Sequence, residues 1–288
     1  MKRKACFYSD GNKISAEIYF PNNISKEGAP AIVMCHGFAE IKEHKLPPIA
    51  EFFSSNGYIV ATFDHRGFGE SEGIKSYLVP QEQVNDIRNM ITYLQTLPEV
   101  NHERIGLWGS SFGGANSIVT TGIDKRVKCL CAQVTFGNGE RVFKKVKDEK
   151  KLQMFNEMVS KASRLAVLEN SLLRISANQI LADKQSIDFY NSEVVNFPHF
   201  DVDIPLLSIE KITEYFPEDY VSKIKIPIFI VSAKNDTVVP VQESEILFEK
   251  ANEPKQYHCV DTGHYDVYVG DCLKEISNKQ LEWFNKYL

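Results

Sequence analysis

Apolar runs long enough to cross a bilayer are missing from this 288-residue chain. None approaches the roughly 18 residues a spanning helix needs, so no membrane partner is expected. An excess of positive charge is missing as well. Thirty-three Lys and Arg face 38 Asp and Glu for a formal charge of −5. That balance supplies no basic patch for phosphates, and nucleic acid is excluded as an expected partner. The basic opening, residues 1–10, lacks the apolar centre of a signal peptide, and a cytoplasmic protein is expected. Six cysteines (Cys6, Cys35, Cys129, Cys131, Cys259 and Cys272) are scattered rather than spaced as a disulfide framework, and read as free thiols. Cys129 and Cys131 resemble a ligand pair, but strand alternation turns both to one face and no second pair completes a tetrahedral set. No metal or other cofactor is expected. Internal repeats and low-complexity segments are also absent.

What remains is an ordinary globular composition, 43% hydrophobic and 25% charged, long enough for one large α/β domain with an insertion. Short apolar runs alternate with helical patterns, which predicts a mostly parallel central sheet with helices on both faces. Strands are expected over residues 16–20, 31–35, 58–63, 105–108, 127–136, 228–231 and 256–260. Leu46, Ile49, Phe52 and Phe53 fall at helical spacing before Asn56-Gly57. Residues 81–97 form the clearest helix, with Val84, Ile87, Ile91 and Leu94 on one stripe before Pro98. Leu273, Ile276, Leu281 and Phe284 give the C-terminal segment an apolar helical face.

Between Gly137 and Glu218 the alternation stops. Residues 141–173 are charged and helix-prone, with Val142, Val146, Phe155, Met158, Val159, Ala162 and Leu165 spread through them, and residues 196–200 read as loop. A mostly helical cap over 137–218, inserted into a core of 1–136 and 219–288, is the simplest account. Phe155, Met158, Leu165 and Leu168 are its candidates for lining an acyl pocket, although packing onto the core is the commoner use of such residues.

The chemistry is carried by Gly109-Ser110-Ser111-Phe112-Gly113, which follows the apolar run Ile105-Gly106-Leu107-Trp108 and precedes a helical pattern. A serine hydroxyl becomes a useful nucleophile when a sharp strand-to-helix turn lifts it beside a base. A base and an orienting acid should then follow, in the order Ser, acid, His. Asp236 lies in the turn after the strand at 228–231, and His264 in the loop after the strand at 256–260. Both sit at carboxyl ends of strands, on the sheet edge that carries Ser111. Ser111 would attack, His264 would carry its proton, and Asp236 would hold the imidazole. The bland alternative for Asp236 is an Asx turn with Asn235 and Thr237. Asp266 is too close in sequence to His264 to orient it, and His258 sits inside a strand, packed or on the surface. The backbone amides of Phe38, after His36-Gly37, and of Phe112, at the helix start, are the candidate oxyanion hole. His36 itself is read as a brace for its loop.

These residues, with Asp64-His65-Arg66-Gly67-Phe68-Gly69-Glu70-Ser71, resemble the α/β-hydrolase superfamily over nearly the whole chain. The opening Ser9-Asp10-Gly11-Asn12-Lys13-Ile14-Ser15-Ala16 resembles the early hairpin of dienelactone-hydrolase-like and Xaa-Pro-dipeptidyl-peptidase-like members. The resemblance implies an architectural role for Asp64 and Arg66. It also implies a serine hydrolase acting on an acyl ester or thioester, and the acidic charge without an interfacial helix signal points to a small to medium substrate. An acyltransferase or polyketide-type thioesterase would use the same triad. A Xaa-Pro-type peptidase would need acidic groups to grip a free amine, and a non-catalytic module would keep only the fold. Oligomeric state is not legible.

Overall fold

A computed structural model of the chain describes residues 1–143, 149–197 and 202–288, with the backbone alone described at 149–152. Strand β1 (Lys2–Ser9) pairs antiparallel with β2 (Asn12–Tyr19) as an N-terminal hairpin. Next come β3 (Ala29–Cys35), α1 (Leu46–Ser55), β4 (Ile59–Phe63), α2 (Pro80–Leu94), β5 (Val100–Ser110), α3 (Phe112–Ile123) and β6 (Val127–Gln133). The segment between β6 and the next sheet strand holds α4 (Gly139–Phe143), α5 (Glu149–Glu169), β7 (Arg174–Ser176), α6 (Ala177–Ile180) and α7 (Lys184–Glu193). It continues with β8 (Asp203–Pro205), α8 (Leu206–Thr213) and α9 (Glu218–Val221). The chain then returns through β9 (Ile228–Ala233), α10 (Val241–Lys250), β10 (Lys255–Val260) and α11 (Gly270–Tyr287).

The central sheet has eight strands in the order β1-β2-β4-β3-β5-β6-β9-β10. Only the β1–β2 and β2–β4 pairings are antiparallel, and every pairing from β4 onward is parallel. Alternation along β3 shows why both faces are covered. Ala31, Val33 and Cys35 enter one core with Ile87, Met90 and Ile91 of α2 and Ile118 of α3. Ile32 and Met34 enter the opposite core with Leu46, Ile49 and Phe53 of α1 and Trp283 and Phe284 of α11. A strand buried on both faces has no polar alternation to show, which is why β3, β4 and β9 read as continuous apolar runs.

Some boundaries differ from the pattern reading. The strand expected over 127–136 stops at Gln133, because Val134 turns to φ 43° and carries Phe136 out of the sheet toward the serine helix. The long helix starts at Pro80 and ends at Leu94, with Thr96 and Leu97 turning back on Tyr93 and Leu94. Between β6 and β9 the described residues are mostly helical, but β7 and β8 add a two-stranded antiparallel ribbon that the pattern did not reveal. Val146 of the helix-prone stretch, and Pro198, His199 and Phe200 of the expected loop, lie outside the described residues. Among the described residues no helix is long and apolar enough to cross a membrane.

Candidate active site

Ser111 sits between β5 and α3 with φ 54° and ψ −120°, a conformation costly for a residue with a side chain. Close backbone contact holds it there. A Cβ on Gly109 would fall 2.4 Å from the Gly113 carbonyl, and one on Gly113 would fall 2.1 Å from the Cys35 carbonyl. Only glycine lets β5, α3 and the end of β3 meet this tightly. The Ser111 amide donates to the Gln133 carbonyl at 2.9 Å, and Thr135 Oγ1 donates to the Ser111 carbonyl at 2.8 Å. These bonds anchor the turn to β6 and leave the hydroxyl projecting from the sheet edge.

The structure brings the three expected side chains together. His264 Nε2 lies 3.1 Å from Ser111 Oγ, and His264 Nδ1 lies 2.6 Å from Asp236 Oδ2. The carboxylate keeps the proton on Nδ1, so Nε2 faces the hydroxyl as an acceptor. Asp236 is also the Asx turn that the bland reading required. Its Oδ1 accepts from the amides of Val238 and Val239 at 2.8 and 2.7 Å. His264 and Asp236 are both buried, while Ser111 keeps partial exposure. The set can move a proton from a hydroxyl to an imidazole with a fixed carboxylate behind it.

Phe38 and Phe112 flank the serine. A Cβ built on Gly37 would lie 3.5 Å from Ser111 Cβ, so the loop after β3 lies directly against the turn. Among the described residues neither the Phe38 nor the Phe112 amide donates to a protein acceptor, and Phe112 opens α3, where the helix dipole is positive. His36 braces this loop as expected. Its Nδ1–H donates to the Gly37 carbonyl at 3.1 Å, and its ring packs on His65 at 4.9 Å. Burial, with His65 beside it, pushes His36 down to about 4, which keeps it neutral.

The other candidates lie elsewhere. Asp266 Oδ2 accepts from Thr262 Oγ1 and the Gly263 amide, within its own loop. His258 Nε2 pairs with Glu275 at 2.8 Å on the outer side of β10. Arg66 binds Asp86 through Nε and Nη2, and Asp64 accepts from Lys42 and from the Glu70 amide. Glu43, Asp64 and Glu70 cluster closely enough to hold a cation. The Lys42 ammonium already fills that role at 2.6, 2.7 and 2.8 Å.

Sequence reasoning missed Glu40, Tyr265 and the first turns of α7. Glu40 is buried and accepts from the Gly37 amide at 3.1 Å. Burial pushes its carboxyl up, but His44 outweighs this and holds it below the ordinary range. From α7, Phe189 stacks on Tyr265 at 3.9 Å and Ser186 Oγ bonds the Tyr265 hydroxyl at 2.9 Å. A pocket beside the Phe38 loop is walled by Phe38, Ala177, Leu181, Phe189, Tyr190 and Tyr265. The expected pocket residues of α5 are not in that wall. Met158 is 40% and Leu168 72% exposed, and Phe155 packs on Ala162, Leu206 and Ile209. The stripe marks an apolar face of the helix, but it does not tell which of its residues are covered or by what.

A family model described as serine aminopeptidase, S33, matches residues 27–268. An uncharacterized 31.7 kDa protein from the traX-finO intergenic region of Escherichia coli is 32% identical over 261 residues, covering 90% of this chain and 91% of that protein. The thiohydrolase aneE of Aspergillus aculeatus is 27% identical over 293 residues, covering 97% of this chain and 91% of its own length. The solved structure of DcsB in complex with its substrate analogue superposes with a TM-score of 0.87 at 24% identity, each chain covered in full (100% and 100%). That last likeness speaks to the fold alone.

Proposed function

The chain belongs to the serine aminopeptidase S33 family of α/β-hydrolases, and from that premise we propose that it is a serine hydrolase cleaving a carboxylic ester or thioester of a small to medium acyl substrate. The observation that carries the reading is the continuous line Ser111 Oγ–His264 Nε2 at 3.1 Å and His264 Nδ1–Asp236 Oδ2 at 2.6 Å. Ser111 attacks the acyl carbon as His264 takes its proton. The oxyanion is held by the Phe38 and Phe112 amides, and His264 then protonates the departing alcohol or thiol. Water, activated by the same imidazole, releases the acid from the acyl-Ser111 intermediate. Residues 137–218 act as a cap over a core of 1–136 and 219–288. No cofactor is required by this chemistry.

Two observations set this reading against a peptidase. An aminopeptidase needs an uncommitted acid near the serine to grip a free amine. Here Glu40 is engaged by the Gly37 amide, and Asp183 by Ser186 and Thr237. The thiohydrolase among the relatives supports the thioester side. Transfer to an alcohol or amine in place of water uses the same groups, and is read by adding such acceptors to the assay.

A fluorophosphonate should label Ser111 stoichiometrically. Ser111→Ala and His264→Ala should each lower turnover of p-nitrophenyl butyrate by about 10⁴–10⁶. Turnover surviving in Ser111→Ala, or a wild-type chain that neither labels nor turns over, would overturn the reading.

A further inference from the structure

We propose that Gln185, on the first turn of α7, is a positioning residue that locks the acid-bearing and base-bearing loops together. The inserted segment would then form part of the catalytic machinery as well as its roof. This rests on the assignment of Ser111, Asp236 and His264 made above. Asp236 and His264 sit on separate loops after the parallel neighbours β9 and β10. Apart from the His264–Asp236 bond itself, the direct ties among the described residues join the bases of those loops. The Asn235 amide donates to the Thr262 carbonyl at 2.9 Å, and Asn235 Nδ2 to Asp261 Oδ1 at 2.9 Å. Gln185 reaches the business end. Its Oε1 accepts from the His264 amide at 3.0 Å, and its Nε2 donates to the Asn235 carbonyl at 2.8 Å. One planar amide thus fixes the backbone of the base and that of the residue preceding the acid.

The amide packs directly on this loop: a Cβ on Gly263 would lie 2.9 Å from Gln185 Nε2 and 3.0 Å from Asp266 Oδ2. The first turn of α7 is itself held to both loops. Asp183 caps it by accepting from the Ser186 amide at 3.1 Å, and takes a second bond from Thr237 Oγ1 at 2.8 Å. On the other side Ser186 and Phe189 grip Tyr265, the neighbour of His264. Misplacing a reacting group by about 1 Å can cost on the order of 100-fold in rate, so a bridge at this point acts on turnover more than on binding.

The experiment measures phosphonylation of Ser111 by a fluorophosphonate across pH, resolving the saturation constant from the limiting rate. Gln185→Ala should lower the limiting rate by about tenfold or more with the saturation constant nearly unchanged. Gln185→Glu keeps the shape and the acceptor for the His264 amide, but loses the donor to Asn235 and adds negative charge. Its acid limb should move to higher pH, because a nearby anion favours the imidazolium. The ionisable groups around Tyr265 and His264, among them Asp183, Glu40 and Asp236, are the same in both variants, so the shift reads the new charge. A thermal melt of each variant corrects for folded fraction, and if Gln185→Ala does not fold, the isosteric Gln185→Glu decides through its limiting rate, since its acid limb follows the new charge whatever the amide does. A wild-type limiting rate in the folded variants, with Ser111 still labelled in wild type, would overturn this role alone. A wild-type chain unlabelled at Ser111 would overturn the triad and this role with it.

Discussion

Asp236 divides its two carboxylate oxygens between tasks, and that division makes a sharp residue-scale prediction. Oδ1 accepts two backbone amides, from Val238 and Val239, while Oδ2 faces His264 Nδ1. In Asp236→Asn the amide oxygen must take the place of Oδ1, since an NH2 group there would oppose two donors. The NH2 then faces the imidazole and donates to Nδ1, so the ring's own proton moves to Nε2. A protonated Nε2 cannot accept from Ser111. Turnover of p-nitrophenyl butyrate should fall by about 10⁴, as acid-to-amide changes do in comparable triads. Shape and the turn are retained, so the chain should keep its stability to within about 1 kcal/mol. Turnover within tenfold of wild type, measured beside a thermal melt, would show that Asp236 only shapes its turn. Glu40 is the other residue whose role comes from its setting. A buried carboxylate receiving the Gly37 amide holds the loop that presents Phe38.

Among the elements, α7 is docked at its C-terminal end by charge. It ends in Glu193, a residue disfavoured at the negative end of a helix dipole, and two cations from the loop after β3 offset this. His44 Nε2 lies 2.9 Å and Lys45 Nζ 2.8 Å from the Glu193 carboxylate. Burial pushes His44 down, but Glu40 and Glu193 outweigh it, and its value is raised above the ordinary 6.5. A raised folded value means that His44 contributes its full stabilisation below 6.5 and loses it as pH rises through the folded value. Amide hydrogen exchange over residues 184–193, normalised to intrinsic rates, should therefore quicken as pH climbs past that point. Glu193→Gln should show fast exchange at every pH, because the tie no longer depends on the imidazolium. Equal pH dependence in the two proteins would remove His44 from the docking of α7. Nothing in the sequence announced this contact. His44 and Glu193 are 149 positions apart, and neither belongs to a spacing that carries chemistry.

Across the whole molecule, legibility followed burial geometry. Strands covered on both faces, such as β3 and β9, show as unbroken apolar runs, and the residues just after them, Asp236 and Phe38 among them, fall at a sheet edge by construction. Ser111 was legible because its glycines are demanded by backbone contact. Edge strand β1 alternates exposed and half-buried residues and hides in a basic tail, and β7 and β8, three residues each, are too short to show a period. Gln185 and Glu40 are tied by hydrogen bonds to backbone groups distant or non-periodic in sequence, which leave no pattern. The same geometry bears on how the molecule unfolds. Among its described residues, the segment between β6 and β9 has one small cluster of its own, Ala162, Leu206 and Ile209 with their neighbours. Its Ala177, Ile204, Ile212 and Tyr215 are buried together with Phe38, Phe112 and Phe136 beside the serine. Releasing the segment alone would expose those aromatics to water, at roughly 25 cal/mol for each Å² of apolar surface. The chain should therefore melt in one cooperative transition. Its two tryptophans make this testable, since Trp108 and Trp283 are both buried in the cluster between the sheet and α11, which includes no described residue of that segment. Their fluorescence should change at the same temperature as the far-ultraviolet circular dichroism, to which the insert's helices contribute. A dichroism transition that runs ahead of the fluorescence would mean that the segment detaches first, as an independent unit.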